Sequence, residues 1–129
     1  MTPDELLQQL ELLTHDARMR QMVKIGQLST SDTSVAATLN ALEKGGFYER
    51  WLALQSCYGS RDGARALRAF ADPSRVIRSL AQRLLPLIGD DAQVQAALDA
   101  ATSKQRPSLL KKLLKRCRRS PIDQIIRNS

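Results

Sequence analysis

The chain has 129 residues, 43% of them hydrophobic but only 4% aromatic, and carries a formal net charge of +7 at neutral pH. That length fits a single domain over 1–129, and the aliphatic content suffices for a core. No run approaches the ~20 consecutive apolar residues that cross a bilayer, and the opening Met1-Thr2-Pro3-Asp4-Glu5 is too acidic for a secretory signal. The two cysteines, Cys57 and Cys117, match no metal or redox spacing. They read as reduced thiols of an intracellular protein, cytoplasmic or nuclear.

In chain order, the first expected helix opens at Thr2-Pro3-Asp4-Glu5. Thr2 caps, Pro3 suits the first helical position, and Glu5 completes a capping box. Leu6, Leu7, Leu10 and Leu13 form its apolar stripe. Asp16 reads as the cap of a second helix to about Leu28, with Met19, Met22, Val23 and Ile25 inward. Asp32 caps a third, whose Val35, Leu39 and Leu42 lead to the Gly45-Gly46 stop. A fourth, over 47–58, spaces Phe47, Trp51, Leu54 and Tyr58 by four, three and four residues. That rhythm predicts an aromatic stripe in the core, with a stacking surface for bases as the lesser alternative.

A fifth helix follows the turn at 59–62, capped by Asp62 or Ser60, with Ala64, Leu67 and Phe70 inward. Asp72-Pro73 begins the sixth. Its inner face is Val76, Ile77, Leu80, Ala81, Leu84 and Ile88; Pro86 bends it and Gly89 ends it. Asp90-Asp91 opens the seventh, with Val94, Ala97, Leu98 and Ala101 inward. A carboxylate pair at a helix start reads as a cap aligned with the helix dipole rather than as an acid/base pair. The eighth, over 107–119, puts Leu109, Leu110, Leu113, Leu114 and Cys117 on one side. Ser120-Pro121 opens a short ninth with Ile122, Ile125 and Ile126 apolar.

A basic residue followed by paired apolar positions recurs at Arg20, Arg50, Arg78 and Lys111, at separations of 30, 28 and 33. A helical period of that size implies stacked helix pairs, none able to bury its apolar face alone. The clearest copy comprises Asp72-Pro73, Val76-Ile77-Arg78, Leu80-Ala81, Leu84, Leu87-Ile88-Gly89-Asp90, Val94, Ala97 and Leu98. It resembles HEAT repeats, particularly the short type also found in phycobilisome-lyase-like proteins. Looser copies keep Arg18-Met19-Arg20 with Ile25-Gly26, Glu49-Arg50 with Cys57-Tyr58-Gly59, and Lys111-Lys112.

The resemblance implies an all-α fold: a right-handed alpha-alpha superhelix, or HEAT-like solenoid. It would have about four helix pairs (16–44, 47–71, 74–101 and 105–128) behind an N-terminal cap helix. In such arrays the recurring arginine often pairs with an acidic residue of the adjoining repeat turn. The resemblance also implies a scaffold or adaptor rather than an enzyme. The chain ends without a polar capping repeat, which suggests a natural short form, a piece of a longer array or half of a homodimer.

No catalytic motif is found. The sole histidine, His15, reads as a surface or capping residue, and neither cofactor nor metal is expected. Charge is the stronger signal. Residues 1–62 hold six Lys/Arg against eight Asp/Glu, a net of −2; residues 63–129 hold fourteen against five, a net of +9. Residues 104–119 carry eight cations and no carboxylate. Two arrays follow as candidate partner-binding sets. Arg61, Arg65 and Arg68, spaced by four and three, are expected on one face of the fifth helix. Lys111, Lys112, Lys115, Arg116 and Arg119 are expected on the eighth, forced outward by its leucines. A field of one sign favours an acidic protein partner, with nucleic acid bound through phosphate contacts as the alternative and a membrane surface ranked third.

Overall fold

A computed structural model describes residues 1–100 and Pro107, so the expected eighth and ninth helices lie outside the described residues. All regular structure among the described residues is helical. The elements are α1 (Pro3–Glu11), α2 (His15–Ser29), α3 (Thr33–Glu43), α4 (Phe47–Gln55), α5 (Cys57–Ser60), α6 (Gly63–Arg68), α7 (Arg75–Ile88) and α8 (Asp91–Ala100). A short 3-10 turn, Ala69–Ala71, follows α6. No described helix is long and apolar enough to cross a membrane. The chain divides into two compact units, Met1–Arg61 and Asp62–Ser129.

In the first unit, polar caps set where the helices begin. The Thr2 hydroxyl accepts the Glu5 amide at 3.2 Å, and the Thr2 amide donates to Glu5 Oε2 at 3.5 Å, the reciprocal box that the sequence announces. Asp32 Oδ1 accepts the Ser34 and Val35 amides at 2.9 and 3.2 Å. α2 starts earlier than expected, because Thr14 rather than Asp16 caps it, accepting the Ala17 amide at 3.3 Å. Asp16 then sits in the first turn, where its charge favours the helix dipole. The core is Leu6, Leu10, Met22, Ile25, Val35, Leu39, Leu42, Leu52 and Ala53, with Leu7, Leu13, Met19 and Trp51 packed against it. The Thr38 hydroxyl, buried among these helices, donates to the Met1 carbonyl and ties the chain start to α3.

α2 and α5 approach more closely than side chains permit. A Cβ on Gly26 would stand 1.9 Å from the Ser56 carbonyl oxygen, and one on Gly59 would stand 1.9 Å from that of Val23. Each glycine faces the other helix's backbone, so the pair sets the approach of these helices. The expected single helix over 47–58 is therefore two. α4 ends at Gln55, Ser56 carries the break, and α5 seats Gly59 against α2.

In the second unit, Asp62 caps α6 by accepting the Arg65 amide at 3.0 Å. α7 begins at Arg75, later than Asp72-Pro73 suggested; Asp72 Oδ1 instead accepts the Ser74 amide at 2.8 Å and shapes the turn before the helix. Ile77, Leu80, Ala81, Leu84 and Leu85 of α7 are buried, as are Val94, Ala97 and Leu98 of α8. Val76 is 55% exposed, because the inner face turns away from it toward Leu85. Pro86 is buried in the last turn of α7, and Gly89 closes the helix. Asp90 opens α8 through a reciprocal box: its carboxylate accepts the Gln93 amide at 2.8 Å, and its amide donates to Gln93 Oε1 at 3.0 Å. That is the capping role the Asp90-Asp91 pair suggested.

Candidate functional site

Three arginines occupy the same place in three helices. Arg18 is the fourth residue of α2, Arg50 the fourth of α4 and Arg78 the fourth of α7. Each guanidinium reaches back to main-chain carbonyls just before its own helix. Arg18 donates from Nε to Leu10 O at 2.6 Å and from Nη2 to Glu11 O at 3.3 Å. Arg50 donates to Gly45 O at 3.0 Å. Arg78 donates to Asp72 O at 2.7 Å and to Pro73 O at 2.9 Å. Carbonyls at and just beyond a helix end carry the negative end of the dipole and have lone pairs to spare, so a cation there is favoured; Leu10 O also accepts the Leu13 amide at 3.0 Å. The periodic arginine is thus Arg18, not the exposed Arg20, and the separations become 32 and 28 residues (18→50→78).

The basic set expected on the fifth helix is not a row of three exposed cations on one helix. α6 begins only at Gly63. Arg61 precedes it as the left-handed C-cap of α5, with φ 59°, while Arg68 is exposed at the end of α6. Arg65 is only 6% exposed, with its Nε 3.5 Å from Asp62 Oδ2. Its charge is held inside the turn, where it supports the cap and offers little to an outside ligand. Lys111, Lys112, Lys115, Arg116 and Arg119 lie outside the described residues.

The aromatic side chains depart furthest from expectation. None of the five is buried. Phe47 is 48% exposed, Tyr48 and Tyr58 are each 39% exposed, and Trp51 and Phe70 are half-buried. Of the stripe expected in this stretch only Leu54 is buried, and Leu52 and Ala53 are buried beside it. Trp51 rests on the core of the first unit and meets two rings. His15, the first residue of α2, lies 6.1 Å away between centroids at an interplanar angle of 29°. Tyr48, three residues back along α4, lies 6.2 Å away at 19°. Sequence reasoning missed the cluster because spacings of three and four cannot say which side of a helix is covered. The one available signal was that Phe47 and Tyr48 directly follow the Gly45-Gly46 stop, at the helix entry.

An open apolar groove of about 370 Å³ lies in the second unit, lined by Leu67, Phe70, Ala71, Ala96, Ala97 and Ala100, with Arg68 beside them. Among the described residues, no group of three His, Cys, Asp or Glu is placed to hold a metal ion. Comparison with protein-family models, with curated proteins and with solved structures returned no match to this chain.

Proposed function

We propose that the chain is a non-catalytic interaction module of the HEAT-like solenoid type, intracellular, which binds an acidic protein partner through its basic C-terminal half. The recurrence of one arginine device at Arg18, Arg50 and Arg78 supports the repeat reading, since the first helix of each of the three expected pairs within the described residues bears it at its fourth residue. The net charge of +9 after residue 62 supports the choice of partner. The second reading, nucleic acid held through its phosphates, is favoured by the eight cations without a carboxylate in residues 104–119.

A pull-down from lysate, with and without nuclease, tests both. The comparison is between the natural chain and a variant with Lys111, Lys112, Lys115, Arg116 and Arg119 changed to Gln, together with Arg61 and Arg68. Arg65 is left in place because it is buried. Nuclease-resistant capture of an acidic protein, lost in the folded variant, is the expected result. Nuclease-sensitive capture with a steep salt dependence gives the second reading. Full retention by the folded variant overturns both.

A further inference from the structure

We infer that the groove between α6 and α8 is the docking site of a segment of the same chain, residues 107–119, which enters it with Leu109, Leu110, Leu113 and Leu114. Groove and segment both belong to the second compact unit, and the inference holds whichever partner the cations of that segment take.

Leu67, Phe70 and Ala71 wall the groove on α6 and the turn after it, and Ala96, Ala97 and Ala100 wall it on α8. Leu67 and Phe70 are only half-buried, while Ala71, Ala96 and Ala100 are exposed. Its volume of about 370 Å³ has room for about two leucine side chains. Ala92, Ala96 and Ala100 recur at every fourth residue on the exposed side of α8, so a second helix can approach that side closely. Covering this surface removes apolar area from water, which is favourable in proportion to the area covered.

Chain length selects the occupant. Ala100 lines the groove, and only residues 101–106 separate it from Pro107, which is helical and suits a first helical position. Helices joined by so short a link lie side by side and antiparallel, so a helix that starts at Pro107 runs back along α8. The other side of α8 is taken, because Val94, Ala97 and Leu98 are buried. Charge agrees. The charged residues of α8 are Asp91 and Asp99, with no cation, whereas residues 104–119 hold eight cations and no carboxylate. Asp99 is exposed next to Ala100, where it attracts that segment as the leucines enter. Over residues 62–100 five Arg balance five Asp, so this part of the unit draws no acidic helix from outside. A second copy would bring +7 against +7. With its leucines seated, the segment turns Lys111, Lys112, Lys115, Arg116 and Arg119 outward on a fixed frame.

Amide hydrogen exchange of the full chain, read by mass spectrometry, tests the docking. In the natural chain the amides of 107–119 should exchange at least about tenfold more slowly than in the double variant Leu110→Ser, Leu113→Ser. Ala96→Lys leaves the segment untouched and puts a cation on the groove wall, at a position exposed enough to accept it. It should speed the same amides by a similar factor, while Ala96→Ser should not. Unchanged exchange in α7 shows that the unit stays folded. Should Ala96→Lys loosen α7 as well, Ala100→Lys places the same charge at the end of α8 and decides in its stead. The slow exchange should not vary with protein concentration. The inference is overturned if the natural segment exchanges as fast as the double variant, or if the lysine on the groove wall leaves its protection intact. Protection that grows with protein concentration also overturns it, because the groove would then hold a second copy.

Discussion

α7 and α4 solve the same problem from opposite ends. In α7 Ile77, Leu80, Leu84 and Leu85 are buried on one side, and Arg75 and Arg83 face solvent. In α4 the Phe47 and Tyr48 rings are exposed and Trp51 is half-buried, while Leu52, Ala53 and Leu54 are buried in succession. Three consecutive buried residues span most of a helix circumference. They fit because both α2 and α3 pack against α4, so it is enclosed on more than one side. A helix with one covered face can be read from its apolar spacing. A helix clasped between two neighbours is covered where small and aliphatic residues permit, and bulky rings move to the opening.

The sharpest test sets one buried leucine of each helix side by side. Leu52→Ala and Leu84→Ala each truncate a side chain with 0% exposure, and each should cost ~2–5 kcal/mol, read as loss of chemical-denaturation midpoint. A silent Leu52→Ala would mean that the aromatic side of α4 faces the core after all. Next in size is Gly26→Ala, whose new methyl would meet the Ser56 carbonyl and push α5 off α2. We expect a loss of ~1–3 kcal/mol in thermal unfolding; a neutral or stabilised variant would contradict the close approach. The smallest effect belongs to Phe47→Ser. At 48% exposure in the first turn of α4, it should change stability by no more than ~0.5 kcal/mol, where a core phenylalanine would cost several times as much.

Much of the local structure was legible. Thr2, Asp32, Asp62 and Asp90 were each identifiable as caps, because a short polar side chain before an apolar run answers the unpaired amides of a helix start. Leu80, Leu84 and Leu98 were expected in the core and are buried there. Thr14 was overlooked because the charge of Asp16, two residues on, made a competing cap. The phase of α4 and α6 was not legible. Both are short, nine and six residues, and in so few turns a single bulky residue dominates any periodicity. Arg65 shows the same limit in reverse: its charge argues for exposure, yet it is 6% exposed with its Nε 3.5 Å from Asp62 Oδ2. The aromatic cluster depends on His15 and Trp51 meeting across α2 and α4, a contact that neither stretch announces alone.

The arginines at Arg18, Arg50 and Arg78 bear on the order in which the chain assembles. Their acceptors lie only five to eight residues upstream. Closing so small a loop loses little chain entropy, and it joins the end of one segment to the start of the next before any distant contact exists. Each tie therefore forms from local chain alone and fixes the angle at which the following helix sets out. A chain stitched in this way has low contact order at its joints, which favours rapid, stepwise growth over a search for remote partners.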